Sequence, residues 1–234
     1  MPILSLFDIV ALGFFITCWL GYGWLLAYSP WKRKSLSYLM DEYRYGWMKA
    51  MLAREVRIPD TNISAGLQQG TAFFASASLL ALGGAFAILN STEKVVQVMS
   101  DLPFTSPQDA SHWELKAFGL IAIVAYSFFK FGWAYRLFNY TTIVMGSIPD
   151  HAHEDNPHAL AASKKAARLA TLAGRHFSRG QQSLFFAVGY LGWYAGPWAL
   201  IATTICVTGV LVRRQYFSKA RRAVVDPPVE HDPA

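Results

Sequence analysis

The sequence predicts an all-α polytopic membrane protein, with four transmembrane helices and two amphipathic cytoplasmic helices. Three observations carry that prediction. Hydrophobic residues make up 53% of the 234-residue chain and charged residues only 15%, a balance shifted well away from that of soluble domains. Four apolar runs are each long enough, as helix, to cross a hydrocarbon core of about 30 Å. The basic residues mostly flank those runs, where anionic lipid headgroups lie. The net charge of +6 therefore points to the bilayer surface as partner and away from nucleic acid. The spans fall at about residues 6–28, 68–90, 116–138 and 183–212, within one domain over 1–223, and a charged, proline-bearing tail over 224–234 is expected to be disordered.

Ser5 followed three residues later by Asp8 has the pattern of a capping box, which satisfies the free N–H groups that open a helix. No positively charged segment precedes the run Ile9–Ala27, so it reads as a retained span rather than a signal peptide. Gly13, Thr17 and Gly21 recur at every fourth position along it, a spacing that lets another helix approach closely. Tyr22, Trp24, Tyr28 and Trp31 gather at its far end as an aromatic belt. Between Trp31 and Arg57, Leu36, Leu39, Met40, Tyr43, Trp47 and Met51 recur at helical spacing among charged residues, the pattern of an amphipathic helix at the membrane surface. The second span carries a ridge of Ala77, Ala81 and Ala85, again suited to tight helix contact. Because such ridges occur on two spans, a homo-oligomer is expected.

A short polar connection, Asn90–Glu114, leads to the third span. Beyond that span, Asn156 and Pro157 read as an N-cap and first helical residue. The alanine-rich stretch that follows, to Gly174, predicts the second amphipathic helix, with Leu160, Leu169 and Leu172 inward and Lys164, Lys165 and Arg168 outward. The last apolar run, Ser183–Val212, is interrupted by Gly192, Gly196 and Pro197, and proline kinks or breaks a helix. Read as one long, kinked span, it places the tail on the side of the N-terminus. With Arg136 counted and Lys130, inside the third span, left out, Lys and Arg then number 13 on the first and third connections against 7 on the opposite side, which makes those connections cytoplasmic by the positive-inside rule. Five of the opposing seven lie in the tail, Arg213–Arg222. A last run that folds back at Gly196–Pro197 without a full crossing would remove the conflict.

Lys130 is the sharpest candidate for function. It lies just past the midpoint of Ala117–Tyr140, AFGLIAIVAYSFFKFGWAYRLFNY, and a cation inside a span costs about 2.5–3.5 kcal/mol on insertion scales. It either lines a polar path or meets an anion (a headgroup, Asp60 or Glu55), or its stem snorkels to the interface. Arg136 reads as an interfacial anchor. Arg54, Glu55, Arg57 and Asp60 concentrate charge ahead of the second span, as a buried network with Lys130 and Arg136 or as a solvated junction. Gln68 and Gln69 follow near the interface. His151, His153, Glu154, Asp155 and His158 are residue types that bind zinc, but their spacing matches no closed site and a solvated loop accounts for them. His176 has no partner histidine on another span, and His112 falls at the opposite side, so it reads as structural rather than as a haem ligand. Cys18 and Cys206 lie within apolar runs and offer neither a disulfide nor a redox pair. With no phosphate loop, nucleophile elbow or paired zinc histidines in the sequence, no cofactor, metal or catalytic residue is expected.

Four segments resemble one family. RxxRIPD before the second span, FFASASLLALGG within it, FFKFGWAYRLFNY in the third and GWYAGPW followed by RRQYF in the last are similar to bacterial membrane proteins of domain of unknown function family 599. The resemblance implies a four-span fold in a bacterial inner membrane and brings no catalytic residues. It differs at one place: the family favours an arginine after the glycine near the start of the last span, whereas Gln181 and Gln182 follow Gly180 here. Two functions are consistent with these features. One is a homo-oligomeric conduit or transporter for an ion or small solute, lined or gated by Lys130 and the Arg54–Asp60 stretch. The other is a non-catalytic accessory or lipid-binding membrane subunit.

Overall fold

In a computed structural model the chain is described over residues 4–91, 110–149 and 156–225, and all its regular structure there is helical. α1 (Leu6–Tyr28) leads through a 3₁₀ turn (Pro30–Lys34) to α2 (Leu36–Leu52), and α3 (Ile58–Asn90) follows. α4 (Ala110–Gly146) and α5 (Pro157–Tyr190) form the centre, and a single helical turn (Gly192–Ala195) joins α5 to α6 (Pro197–Tyr216) and a short α7 (Lys219–Val225). α1, α3 and α4 are long and apolar enough to cross a membrane, which makes the architecture compatible with a membrane protein.

The predicted helix starts are present. Ser5 Oγ accepts from Asp8 N at 3.1 Å while Asp8 Oδ2 accepts from Ser5 N at 3.3 Å, a complete capping box. Asn156 Oδ1 accepts from His158 N and Ala159 N at 3.0 and 3.3 Å.

α4 and α5 pack antiparallel along most of their length. Ser183 Oγ donates to Ile123 O at 3.2 Å, and a Cβ on Gly180 would meet the Phe131 ring at 2.8 Å. Gly180 is therefore what lets the ring lie against the α5 backbone. Further along, Met145 and Ile148 pack with Ala159, Ala166, Ala167 and Ala170, joined by Met48, Met51 and Leu52 of α2. α3 lies mainly along α4, through Gln68–Thr142 and the stacked rings of Phe74 and Phe131, and Phe74 also meets Phe177 of α5 edge to face.

The last apolar run differs from the span expected over 183–212. Its first part is the end of α5, and the chain then turns back. Gly196 takes φ 135°, ψ 172°, a conformation open in practice only to glycine, and Pro197 opens α6 with the φ a first helical residue needs. Thr203 Oγ1 donates to Gly189 O at 2.7 Å across the hairpin. α6 then runs parallel to α1 at the same depth: Phe7 and Trp198 meet at one end, with centroids 6.0 Å apart, and Tyr22 Oη donates to Leu211 O at the other, 3.1 Å. The basic tail thus ends beside α2, where Gln215 bonds Ser37 and Arg221 Nε donates to Lys34 O at 2.7 Å. The second amphipathic helix is likewise not separate, since it continues through Gly174 into α5.

Other packing expectations change with the fold. Tyr22 leaves the aromatic belt for the core, whereas Trp24, Tyr28 and Trp31 stay exposed. Met40, Tyr43 and Leu172 are exposed, whereas Leu160 and Leu169 pack inward beside a buried face rich in alanine, Ala159, Ala166, Ala167, Ala170 and Ala173. On α3 the packed ridge is Ser64, Thr71, Ser78 and Ala85, so of the expected alanine ridge only Ala85 is buried. Gly13 and Gly21 meet nothing within 4 Å, so that ridge is unfilled in the single chain. Residues 226–234, most of the expected tail, lie outside the described residues.

Two outcomes test this fold. Cysteines placed as Glu42→Cys and Lys219→Cys, in a Cys18→Ser, Cys206→Ser background, will react with an impermeant maleimide from the same face of sealed vesicles, whereas a single span over 183–212 puts them on opposite faces. Gly196→Val will destabilise the hairpin by about 1–3 kcal/mol, read as a lower thermal midpoint in detergent.

Candidate functional site

At the basic end of the molecule, the end of α1, the 3₁₀ turn, α2, the middle of α5 and the end of α6 enclose a chamber of about 430 Å³. Lys32, Arg44, Arg175, Arg179 and Arg214 line it, against a single carboxylate, Asp41. Gln181, Gln182, Gln215, Ser37 and Ser178 add neutral hydrogen-bonding groups, and Gly23, Leu26 and Ala27 of α1 form an apolar wall.

Local rules explain how each group is held. Arg44 Nη1 donates to Asp41 Oδ1 at 2.7 Å, one helical turn away, and Arg175 Nε reaches Asp41 Oδ2 from α5 at 3.0 Å. One buried carboxylate thus orders two guanidinium groups on different helices. Burial pulls the Arg44 guanidinium below its ordinary pKa, while the neighbouring Asp41 charge raises it. A Cβ at position 174 would come 2.5 Å from Arg44 Nη2, so Gly174 makes the recess in α5 into which that guanidinium fits. Arg214 lies over the Phe185 ring, 5.4 Å from its centroid, and Gln215 is fixed by Ser37 of α2. An arrangement of donors with so little acidic compensation binds anions; guanidinium groups in particular match phosphate oxygens two at a time.

The residues singled out from the sequence do not form one site. Asp60 is fully buried and accepts from Trp47 Nε1 at 2.7 Å and from Arg54, tying α2 to the start of α3. Arg57 donates to Ile148 O and Pro149 O at 2.7 and 2.8 Å, closing α3 onto the end of α4. Glu55 is exposed. Gln68 Nε2 donates to Thr142 Oγ1 at 3.0 Å, and Gln69 is exposed. Arg136 is exposed and bonds Tyr140 Oη through Nε, 2.6 Å. Lys130, half-buried, places its ammonium 5.0 Å from the Tyr126 ring centroid and lies within electrostatic range of His176, as Arg179 of the chamber also does. His176 is half-buried, its ring 6.5 Å from that of Trp133.

The sequence profile described as "Protein of unknown function, DUF599" matches residues 10–220. The chain belongs to the DUF599 family. No curated protein and no solved structure matches it. The match spans every residue that lines the chamber, so the chamber is built wholly within the DUF599 region. The resemblance noted in the sequence differs at the residues after Gly180, and these, Gln181 and Gln182, stand in the chamber wall.

A second polar cluster lies at the opposite end. Asp8 and Lys116 are buried, Trp193 Nε1 donates to Asp8 Oδ1 at 2.7 Å, and His112 Nε2 is 3.8 Å from the same oxygen. The Lys116 ammonium packs over Trp113 and Trp193, 5.2 and 5.5 Å from their centroids. The sequence places Lys116 among connecting residues; only the length of α4 shows it as a core cation. The cluster anchors the turn after α5 to α1 and α4. Among the described residues no group of three or more His, Cys, Asp and Glu gathers. His151, His153, Glu154 and Asp155 lie outside the described residues, and His158 is exposed at the start of α5.

Asp41→Asn will leave Arg44 and Arg175 without their shared counter-charge and lower stability by about 1–3 kcal/mol, measured by denaturation in detergent. Gly174→Ala meets only the tip of a flexible side chain, so it will fold normally while moving the Arg44 guanidinium out of its recess.

Proposed function

We propose that this DUF599 protein is a non-catalytic membrane subunit that binds a phosphate-bearing anion in the basic chamber. The carrying observation is the charge set: five cations around about 430 Å³ with one carboxylate among them. That volume lies in the range of ligand pockets, about 300–1,000 Å³.

The setting supports a place at the inner membrane of a bacterium. Read with five crossings, α1, α3, α4, the end of α5, and α6, the hairpin would gather eighteen Lys and Arg residues at the chamber end, with Lys116 at the other. The positive-inside rule then assigns the chamber end to the cytoplasm without the conflict that four crossings create. Self-association through the unfilled Gly13–Gly21 ridge belongs to the same proposal. A conduit lined by Lys130, Gln68 and the Arg54–Asp60 stretch has weaker support, because Gln68, Arg54, Arg57 and Asp60 spend their hydrogen bonds tying helices together.

Pyrophosphate titrated into the full chain in detergent will bind with an affinity that falls as salt rises. Arg44→Gln and Arg179→Gln will each weaken it by about 10-fold or more. Gly174→Ala, with every charge retained, will weaken it as well. Absence of binding, or variants that bind as the parent does, would sink the proposal.

A further inference from the structure

The chamber's remaining wall is apolar and belongs to a membrane span, which is not what a pocket for a free, fully hydrated anion requires. Gly23 lines the chamber, and a Cβ there would meet nothing within 4 Å. One turn earlier, on the same face of α1, Trp19 meets Tyr126 of α4 edge to face, with centroids 5.6 Å apart. α1 and α4 touch there through long side chains, and their backbones do not pack closely. One turn further along α1, Gly23 and then Ala27 line the chamber, opposite Arg179 and Gln182 of α5 in the same lining, while Lys130 follows Tyr126 by one turn on α4. Arg179 and Lys130 both lie within electrostatic range of His176.

We infer that the ligand is a phosphate-bearing lipid, which reaches the chamber sideways from the bilayer past Gly23 and Ala27 of α1, under the Trp19–Tyr126 contact. This inference rests on the anion-binding reading of the chamber and names its ligand class. The phosphate meets Arg44, Arg179 and Arg214. The acyl chains do not fit the chamber's volume and lie against Gly23 and Ala27 toward the bilayer. Five cations against one carboxylate favour a headgroup with more than one negative charge, a phosphomonoester or diphosphate, over a singly charged diester. Lys130 lies beside this path, its ammonium 5.0 Å from the Tyr126 ring centroid. A cation in the middle of a span thereby has a use that neither a conduit nor simple anchoring supplies.

The full chain in detergent is tested by native mass spectrometry with phosphatidic acid, phosphatidylglycerol and phosphatidylcholine, and by calorimetry with pyrophosphate. Phosphatidic acid will be retained about 10-fold or more over phosphatidylcholine, with phosphatidylglycerol between them. Gly23→Leu fills the open space at the apolar wall without touching a charge. It will cut phosphatidic acid retention about 10-fold and lower pyrophosphate affinity several-fold less than that. Ala27→Leu serves if Gly23→Leu does not fold. Lys130→Gln will lower lipid retention about threefold with pyrophosphate unaffected. Pyrophosphate binding without lipid selectivity, or lipid retention indifferent to both Gly23→Leu and Ala27→Leu, would overturn the lipid inference and leave the anion chamber standing. Failure of both ligands would remove the chamber reading itself.

Discussion

The reversal between Leu191 and Gly196 is the constraint on which the rest of the molecule depends. Were the last apolar run continuous, Arg214 and Gln215 would lie at the end where Asp8 and Trp193 are, and the chamber would lose one wall. The turn instead returns α6 alongside α1 and brings the tail to α2. Three local features hold it: a glycine at a φ that side chains avoid, a proline that begins the return helix, and Trp193, buried with its indole N–H on Asp8. The capping box also draws on Asp8. One carboxylate therefore both starts the first helix and pins the last reversal.

The other buried aspartates act in the same way. Asp41 joins α2 to α5 through Arg44 and Arg175, and Asp60 joins α2 to α3 through Trp47 and Arg54. Each carboxylate is desolvated and answered by two donors, the condition under which burying a charge is tolerable. Acidic groups are thus engaged between helices, while the five chamber cations share one carboxylate, Asp41, which bonds two of them. Asp41 belongs to both groups: it orders two cations and neutralises one charge, so the surplus remains.

Much of the fold was legible in the sequence where the signal is local. The Ser5–Asp8 box, the Asn156–Pro157 start and a helix over Leu36–Leu52 each depend on residues within a few positions of one another, and each is present in the structure. The identity of the packed ridges was not legible, because Gly13–Gly21 and Ala77–Ala85 look as suitable for contact as Ser64–Ala85. Only the neighbour's position decides between them. The same limit hid the fold-back, since Gly196–Pro197 is compatible with a kink and with a reversal. The conflict in the tail's charge pointed to the reversal, and the tertiary contacts of Gln215 and Arg221 confirm it. The chamber was invisible for a further reason. Its cations come from four segments between Lys32 and Arg214, none of which is remarkable alone, whereas the Arg54–Asp60 cluster is dense in sequence and serves to tie helices together.

The depth of the chamber follows from helix length. α4, at 37 residues, is about 55 Å long and exceeds a hydrocarbon core of about 30 Å by several turns. Its opposite end carries the buried Lys116 and Trp113 near the start of α1, so the excess projects at the basic end. There Met145 and Ile148 hold α2 through Met48, Met51 and Leu52. α2 is therefore a platform fixed just beyond the end of α1, and the chamber lies between them, its cations facing the apolar Gly23–Ala27 wall of α1. Their attraction for an anion is stronger than on an open surface, and their desolvation cost is smaller than in the core. A deeper chamber would have to neutralise its arginines, and a shallower one would compete with salt.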